Sequence, residues 1–158
     1  MDLLKFFVLD EEDLEVVSAH LQDAVTKASG ILWRPQERRL VVALNRFDWE
    51  SAQSKTPDYR RRRAALRFER VLACQARGIE SAGDDPVLNL LAVEFVEADA
   101  PAGVVTLTFS GGAALRLEVE CLEAELADLG PNWTTAACPD HAVSERPAAR
   151  QGRAAAEK

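Results

Sequence analysis

The sequence predicts an α+β fold in which an antiparallel sheet carries a helix at each end. Three observations carry that prediction. An acidic N-cap at Asp10 precedes apolar residues at helical spacing. Two alternating runs between Val104 and Glu120 flank Gly111-Gly112, as in a hairpin. Leu122, Leu126 and Leu129 recur at helical spacing ahead of Gly130-Pro131, a helix stop. Short connections between the intervening strands favour an antiparallel six-stranded meander or an open barrel.

The first helix starts at Asp10, with Glu11, Glu12 and Asp13 stabilised by the positive end of its dipole. Leu9 and Leu14 have the spacing of a hydrophobic staple, and Leu14, Val17, Leu21 and Ala24 form one apolar face. Gly30 marks a break before the next element. Ile31 to Arg34 and Leu40 to Leu44 read as a hairpin around Pro35, and the second strand, apolar on both phases, reads as central. It runs on into Asn45-Arg46-Phe47-Asp48-Trp49.

Glu50 to Arg63 reads as a long polar loop closed by Arg60 to Arg63. Ala65 to Arg77 alternates as one strand, with Arg70 out of phase. Gly78 to Asp85 is a turn, and Val87 to Glu97 is the next strand. Gly111-Gly112 predicts a tight primed turn between strands, because such turns need positive φ. Residues 1–134 thus form one globular domain. Pro139 to Lys158 shows no apolar period, so residues 135–158 read as a disordered tail. The element order is similar to that of the pleckstrin-homology-like barrel, a likeness of order that carries no function.

Composition narrows the function classes. The 158 residues are 47% hydrophobic and 28% charged, an ordinary globular balance for one core. The apolar start, Met1 to Leu9, is too short for a signal peptide h-region with a cleavage site, and no run approaches the ~18 apolar residues of a membrane span. Cys74, Cys121 and Cys138 are odd in number and lack C-x-x-C spacing, which argues against a disulfide framework. Cys74 and Cys121 fall on apolar strand phases and read as small buried hydrophobes. A cytoplasmic chain is expected.

The net charge is −7, but it is unevenly spread. Residues 34–77 hold 12 basic and five acidic residues, while the remainder holds seven basic and 21 acidic ones. The chain is therefore electrically two-sided. Arg60, Arg61, Arg62, Arg63, Arg67 and Arg70 form the candidate anion-binding set, since guanidinium groups suit phosphate and carboxylate. The competing reading is that they pair with the chain's own acids or those of a second subunit. Asn45, Arg46, Asp48 and Trp49 form a candidate pocket, where a guanidinium, an aromatic ring and polar groups would hold a planar anion. The competing reading buries Phe47 and Trp49 on one strand phase.

Other constellations read as structural. His20 and His141 have no partners at ligand or triad spacing, so neither a metal nor a catalytic residue is expected. Glu118, Glu120, Glu123, Glu125 and Asp128 read as a solvated face. Gly111-Gly112 lacks the Lys-Ser/Thr of a phosphate loop. No cofactor is implied.

Four stretches, Asp10 to Leu14 with Ser18 to Ala24, Asn45 to Trp49, Arg61 to Phe68, and Glu120 to Pro131, together resemble a small bacterial family, the domain of unknown function 2948. The resemblance covers roughly residues 4–134 and implies a cytoplasmic bacterial single domain without an assigned activity. The expected role is a non-enzymatic binding module whose arginine-rich segment holds an anionic protein or nucleic acid. An enzyme of unrecognised type, with a small-molecule pocket near Asn45 to Trp49, is the alternative. A structural homodimer is the third reading, and no membrane partner is expected.

Overall fold

The computed structural model describes residues 3–47, 60–79 and 85–134. Most of the expected long loop, the expected tail, Asp48, Trp49, Cys138 and His141 lie outside them.

The first element is a short strand, β1 (Lys5–Val8), followed by the helix α1 (Glu11–His20). Asp10 caps the helix as its sequence demands. Its Oδ1 accepts from the Asp13 N–H at 2.8 Å, while Asp13 Oδ2 accepts from the Leu9 N–H at 3.1 Å. Leu14 and Val17 are buried, but Leu9 is 70% exposed, so the expected staple does not close. The helix ends at His20, before the expected Ala24, where a turn carries Asp23 at φ 63°.

Sheet dominates the rest. The strands are β2 (Val25–Lys27), β3 (Ile31–Arg34), β4 (Arg39–Phe47), β5 (Arg60–Phe68) and β6 (Val71–Arg77). They continue as β7 (Val87–Glu97), β8 (Gly103–Phe109), β9 (Ala114–Val119) and β10 (Ala124–Thr134). The order is β1-β10-β5-β4-β2-β7-β8-β9-β6, with β3 also paired to β4, and every pairing is antiparallel. The expected six-stranded meander with two helices is therefore wrong in both counts and in order: the described residues hold ten strands and one α-helix. Strands distant in sequence are inserted between neighbours.

The largest correction is at the C-terminal end. The expected helix over Leu122 to Leu129 is strand β10, seated between β1 and β5. Ala124, Leu126 and Asp128 point inward at strand spacing and are buried. The charge of Asp128 on that phase disguises the alternation, and the leucines match a helix by coincidence. Gly130 and Pro131 lie within the register shift of β10 between Asp128 and Asn132. With no second α-helix among the described residues, the likeness to a pleckstrin-homology-like order falls.

Two further elements differ. The single alternating strand expected over Ala65 to Arg77 is split into β5 and β6, because Arg70 takes φ 57° and turns the chain. Arg60 to Arg63 are the start of β5, not the end of a loop.

The sheet has two halves. β1, β10, β5, β4 and β3 form one and β7, β8, β9 and β6 the other, with β2 joining β4 to β7. Their apolar faces share one core, which includes Leu40, Leu66, Phe68, Leu90, Leu107, Leu117 and the helix residues Leu14 and Val17. Close packing is visible at Gly103, where an added Cβ would lie 2.6 Å from the Phe95 ring and 2.5 Å from the Val96 carbonyl oxygen.

The β8–β9 hairpin forms as expected, with a loop one residue longer than a two-residue turn. Ser110, Gly111 and Gly112 span it, closed by the Phe109 N–H donating to the Ala113 carbonyl at 2.8 Å. Gly111 and Gly112 have φ of 74° and 81° with open space around them. Gly112→Val therefore meets no clash and is strained only in its backbone. Denaturant titration should show a loss of roughly 1–3 kcal/mol, the usual scale of such strain.

Candidate functional site

Strands β4 and β5 bring the two candidate sets together. Their register sets Asn45 opposite Arg63, Arg46 opposite Arg62 and Phe47 opposite Arg61. Directly opposed residues in an antiparallel pair share a face. Arg46 and Arg62 lie on the inward phase with Leu44, Ala64 and Leu66, whereas Asn45 and Arg63 lie on the outward one. Phe47 and Arg61 are also outward in phase, yet both are buried, with the guanidinium 5.9 Å from the ring centroid. The backbone of Arg60 pairs with Thr134. Asp48, Trp49 and the Arg60 side chain lie outside the described residues.

Arg46 is a structural anchor. Its Nε meets Asp128 Oδ1 at 2.8 Å and its Nη2 meets Oδ2 at 2.9 Å, a two-pronged geometry. Nη1 donates to the Phe47 carbonyl at 3.3 Å. Asp128 Oδ2 also accepts the Leu4 N–H at 2.8 Å, and the Asp128 N–H donates back to the Leu4 carbonyl at 2.8 Å. The pair is sealed from solvent and ties β4, β10 and the approach to β1 together.

Arg67 and Arg70 answer to the chain's own acids. Arg67 meets Glu69 at 2.8 Å and Glu125 at 3.0 Å. Arg70 meets Glu123 at 3.0 Å and Glu120 at 3.8 Å. The Glu123 hydrogen bond and charge hold the Arg70 guanidinium above its ordinary pKa. Arg38 pairs with Glu120, Arg39 with Glu37 and Glu69, and Lys5 with Glu125. Four of the acids expected on a solvated face, Glu120, Glu123, Glu125 and Asp128, thus neutralise the basic segment from β10 and the turn before it. With Arg61 and Arg62 buried, the arginine-rich segment does not present one continuous exposed basic face.

Arg63 behaves differently. It is half-buried, and it makes no ion pair among the described residues. Beside it, Asn45, Lys27, Ser29 and Asp85 line a cleft of about 220 Å³. The cleft wall is tight. Thr26 Oγ1 donates to the Ala43 carbonyl at 2.6 Å, and a Cβ on Gly30 would stand 3.0 Å from each of those oxygens. Ser29 gives Asp85 both its N–H, at 2.8 Å, and its hydroxyl, at 2.5 Å. Those bonds, with the Lys27 charge, hold the Asp85 carboxyl below the usual carboxylate range. Its negative charge is therefore already partnered, and the lining carries a formal excess of one positive charge from Lys27 and Arg63.

Reading the sequence missed Lys27, Ser29 and Asp85. Lys27 ends β2, which at three residues is too short to show a period, Ser29 sits in the 3-10 turn after it, and Asp85 arrives from just ahead of β7, so no local motif marks them. Cys74 is half-buried on β6, and burial pushes its thiol up. Cys121 is half-buried in the turn before β10, off the strand phase expected for it. Among the described residues, no group of three or more His, Cys, Asp and Glu side chains is placed to hold a metal ion. No helix among them is long and apolar enough to cross a membrane.

A family model described as a protein of unknown function (DUF2948) matches residues 4–141. No curated protein and no solved structure matches the chain.

Proposed function

Since the chain belongs to the DUF2948 family of unknown function, we propose its role from its own surface: a non-enzymatic, cytoplasmic binding module that grips one anionic group of a partner in the Arg63 cleft. The observation that carries this reading is the contrast among the arginines. Arg38, Arg39, Arg46, Arg67 and Arg70 each meet a carboxylate of the chain, whereas Arg63 meets none among the described residues. A half-buried guanidinium loses part of its hydration, and an arriving phosphate or carboxylate would restore those bonds. Asn45 and Lys27 stand beside it with further donors.

The reading also unites the two sets of residues that the sequence suggested. Arg63 comes from the arginine run and Asn45 from the pocket stretch, and they are rung neighbours. The size of the cleft suits a single phosphate or carboxylate better than a long polyanion groove.

Calorimetric titration with inorganic phosphate, a phosphopeptide and a short single-stranded oligonucleotide tests the proposal. Arg63→Gln should weaken the best of these by about tenfold or more, because a hydrogen bond to a charged group contributes roughly 1.5–3 kcal/mol. Arg70→Gln, outside the cleft, should leave binding unchanged. Binding that survives Arg63→Gln, or no binding of any of the three, would remove this reading.

A further inference from the structure

A second surface has the opposite sign. Between α1 and β7 runs a groove of about 650 Å³, and a neighbouring hollow of about 520 Å³ continues it. The two share Glu11 and Phe95. Every Asp, Glu, Lys, Arg or His that lines either one is acidic: Asp10, Glu11, Glu12, Glu15, Glu94 and Glu97. Between these acids the surface is apolar. Val96 is 68% exposed and Leu91 44% exposed, with the half-buried Phe95 beside them.

One wall of the groove is also an open strand edge. β2 pairs with β7 from Val87 to Asn89, and the preceding Asp23 and Ala24 bond the main chain of Leu90. Further along, the Val93 N–H turns away from β8 and donates to Ser18 Oγ of the helix at 3.1 Å. Alternate residues of a strand send their main-chain groups the same way. The N–H and C=O of Phe95 and Glu97 therefore face the groove, while Val96 and Glu94 face their β8 partners Val104 and Thr106. The Ala98 N–H to Ala102 carbonyl bond, 2.9 Å, fixes the same phase at the end of the hairpin. Among the described residues nothing takes the outward main-chain groups of Phe95 and Glu97.

We propose that this groove receives an extended cationic segment of a partner protein, added as a short strand along the Phe95–Glu97 edge of β7. Three features of the surface select that occupant. The open main-chain groups demand an extended backbone, as in strand addition. The apolar stretch at Leu91 and Val96 takes alternate side chains of such a strand. The six carboxylates call for Lys or Arg at the positions between. A nucleic acid would be repelled by the same carboxylates. This surface is separate from the Arg63 cleft and does not depend on what that cleft holds.

A fluorescent twelve-residue peptide of alternating Arg and Val serves as the probe. It should bind the full chain, and amide hydrogen exchange at Phe95 and Glu97 should slow in the complex. Glu94→Lys with Glu97→Lys, both at exposed positions, should weaken binding at least tenfold. The same peptide N-methylated at alternate residues keeps its charge but cannot add to the edge, and it too should bind at least tenfold more weakly. Failure of the Arg–Val peptide to bind would overturn the proposal. So would equal binding by the N-methylated peptide, or unchanged exchange at Phe95 and Glu97 in the complex, because attraction would then be electrostatic only. A peptide-free dimer that the double substitution makes monomeric would give the edge to a second copy of the chain and equally end the proposal.

Discussion

Asp128→Ala should cost the fold about 3–5 kcal/mol, because it leaves the buried Arg46 guanidinium without its carboxylate. Arg46 and Asp128 are both shut away from solvent, and water cannot take over the lost bonds. The same substitution removes the acceptor of the Leu4 N–H, so β1 should loosen from β10. Asp128→Asn keeps that acceptor but not the charge, and it should fall between Asp128→Ala and the wild type. The double substitution Arg46→Met with Asp128→Leu removes both charges together. It should cost less than Asp128→Ala alone, since an ion pair replaced by apolar side chains is often near neutral. Urea titration of the four proteins gives all of these differences. A double variant that is no better than Asp128→Ala would show that Arg46 stabilises the fold through contacts other than this pair.

This pair also explains why much of the fold was hidden in the sequence. Helix α1 was legible because its cap, first-turn acids and apolar spacing are local. The β8–β9 hairpin was legible because each alternating run faces the core on one side and solvent on the other. β10 was not legible, because its inward phase carries Asp128, whose charge makes sense only when Arg46 arrives from β4. Its outward phase carries Glu125, buried by Lys5 of β1 and Arg67 of β5. A strand inserted between two others takes its identity from both, and no window of its own sequence contains them.

The candidate residues stood out in the sequence, but their placement in the fold did not. The arginine run and the Asn45 stretch both stood out, and β4–β5 pairing makes them neighbours. The sequence could not say that Arg67 and Arg70 meet the chain's own acids while Arg63 meets none among the described residues. That depends on where Glu120, Glu123 and Glu125 fall, and all three arrive from at least 50 residues beyond Arg70. The two-sided charge map of the sequence is folded back on itself. The basic segment and the acidic remainder largely cancel each other along β5 and β10, leaving Arg63 at one cleft and an acidic groove beside α1.

The core itself should answer to Phe68→Ala with a loss of about 3–5 kcal/mol, the usual cost of deleting a buried ring. Phe68 is fully buried at the end of β5, opposite Leu40 of β4 on one side and Ala124 of β10 on the other. Ala124 is too small to fill the space that the ring would leave, so the cavity should persist. Phe68→Leu, which retains part of the volume, should cost less than half as much. The apolar cluster is continuous from Phe68 through Leu90, Leu107 and Leu117, so both halves of the sheet depend on it. Unfolding should accordingly stay a single transition in the variant, with far-ultraviolet circular dichroism and hydrogen exchange in β8 and β9 moving to lower denaturant together. If β8 and β9 kept their protection while β4 and β5 lost theirs, the two halves would be separate folding units and the shared core would contribute little to joining them.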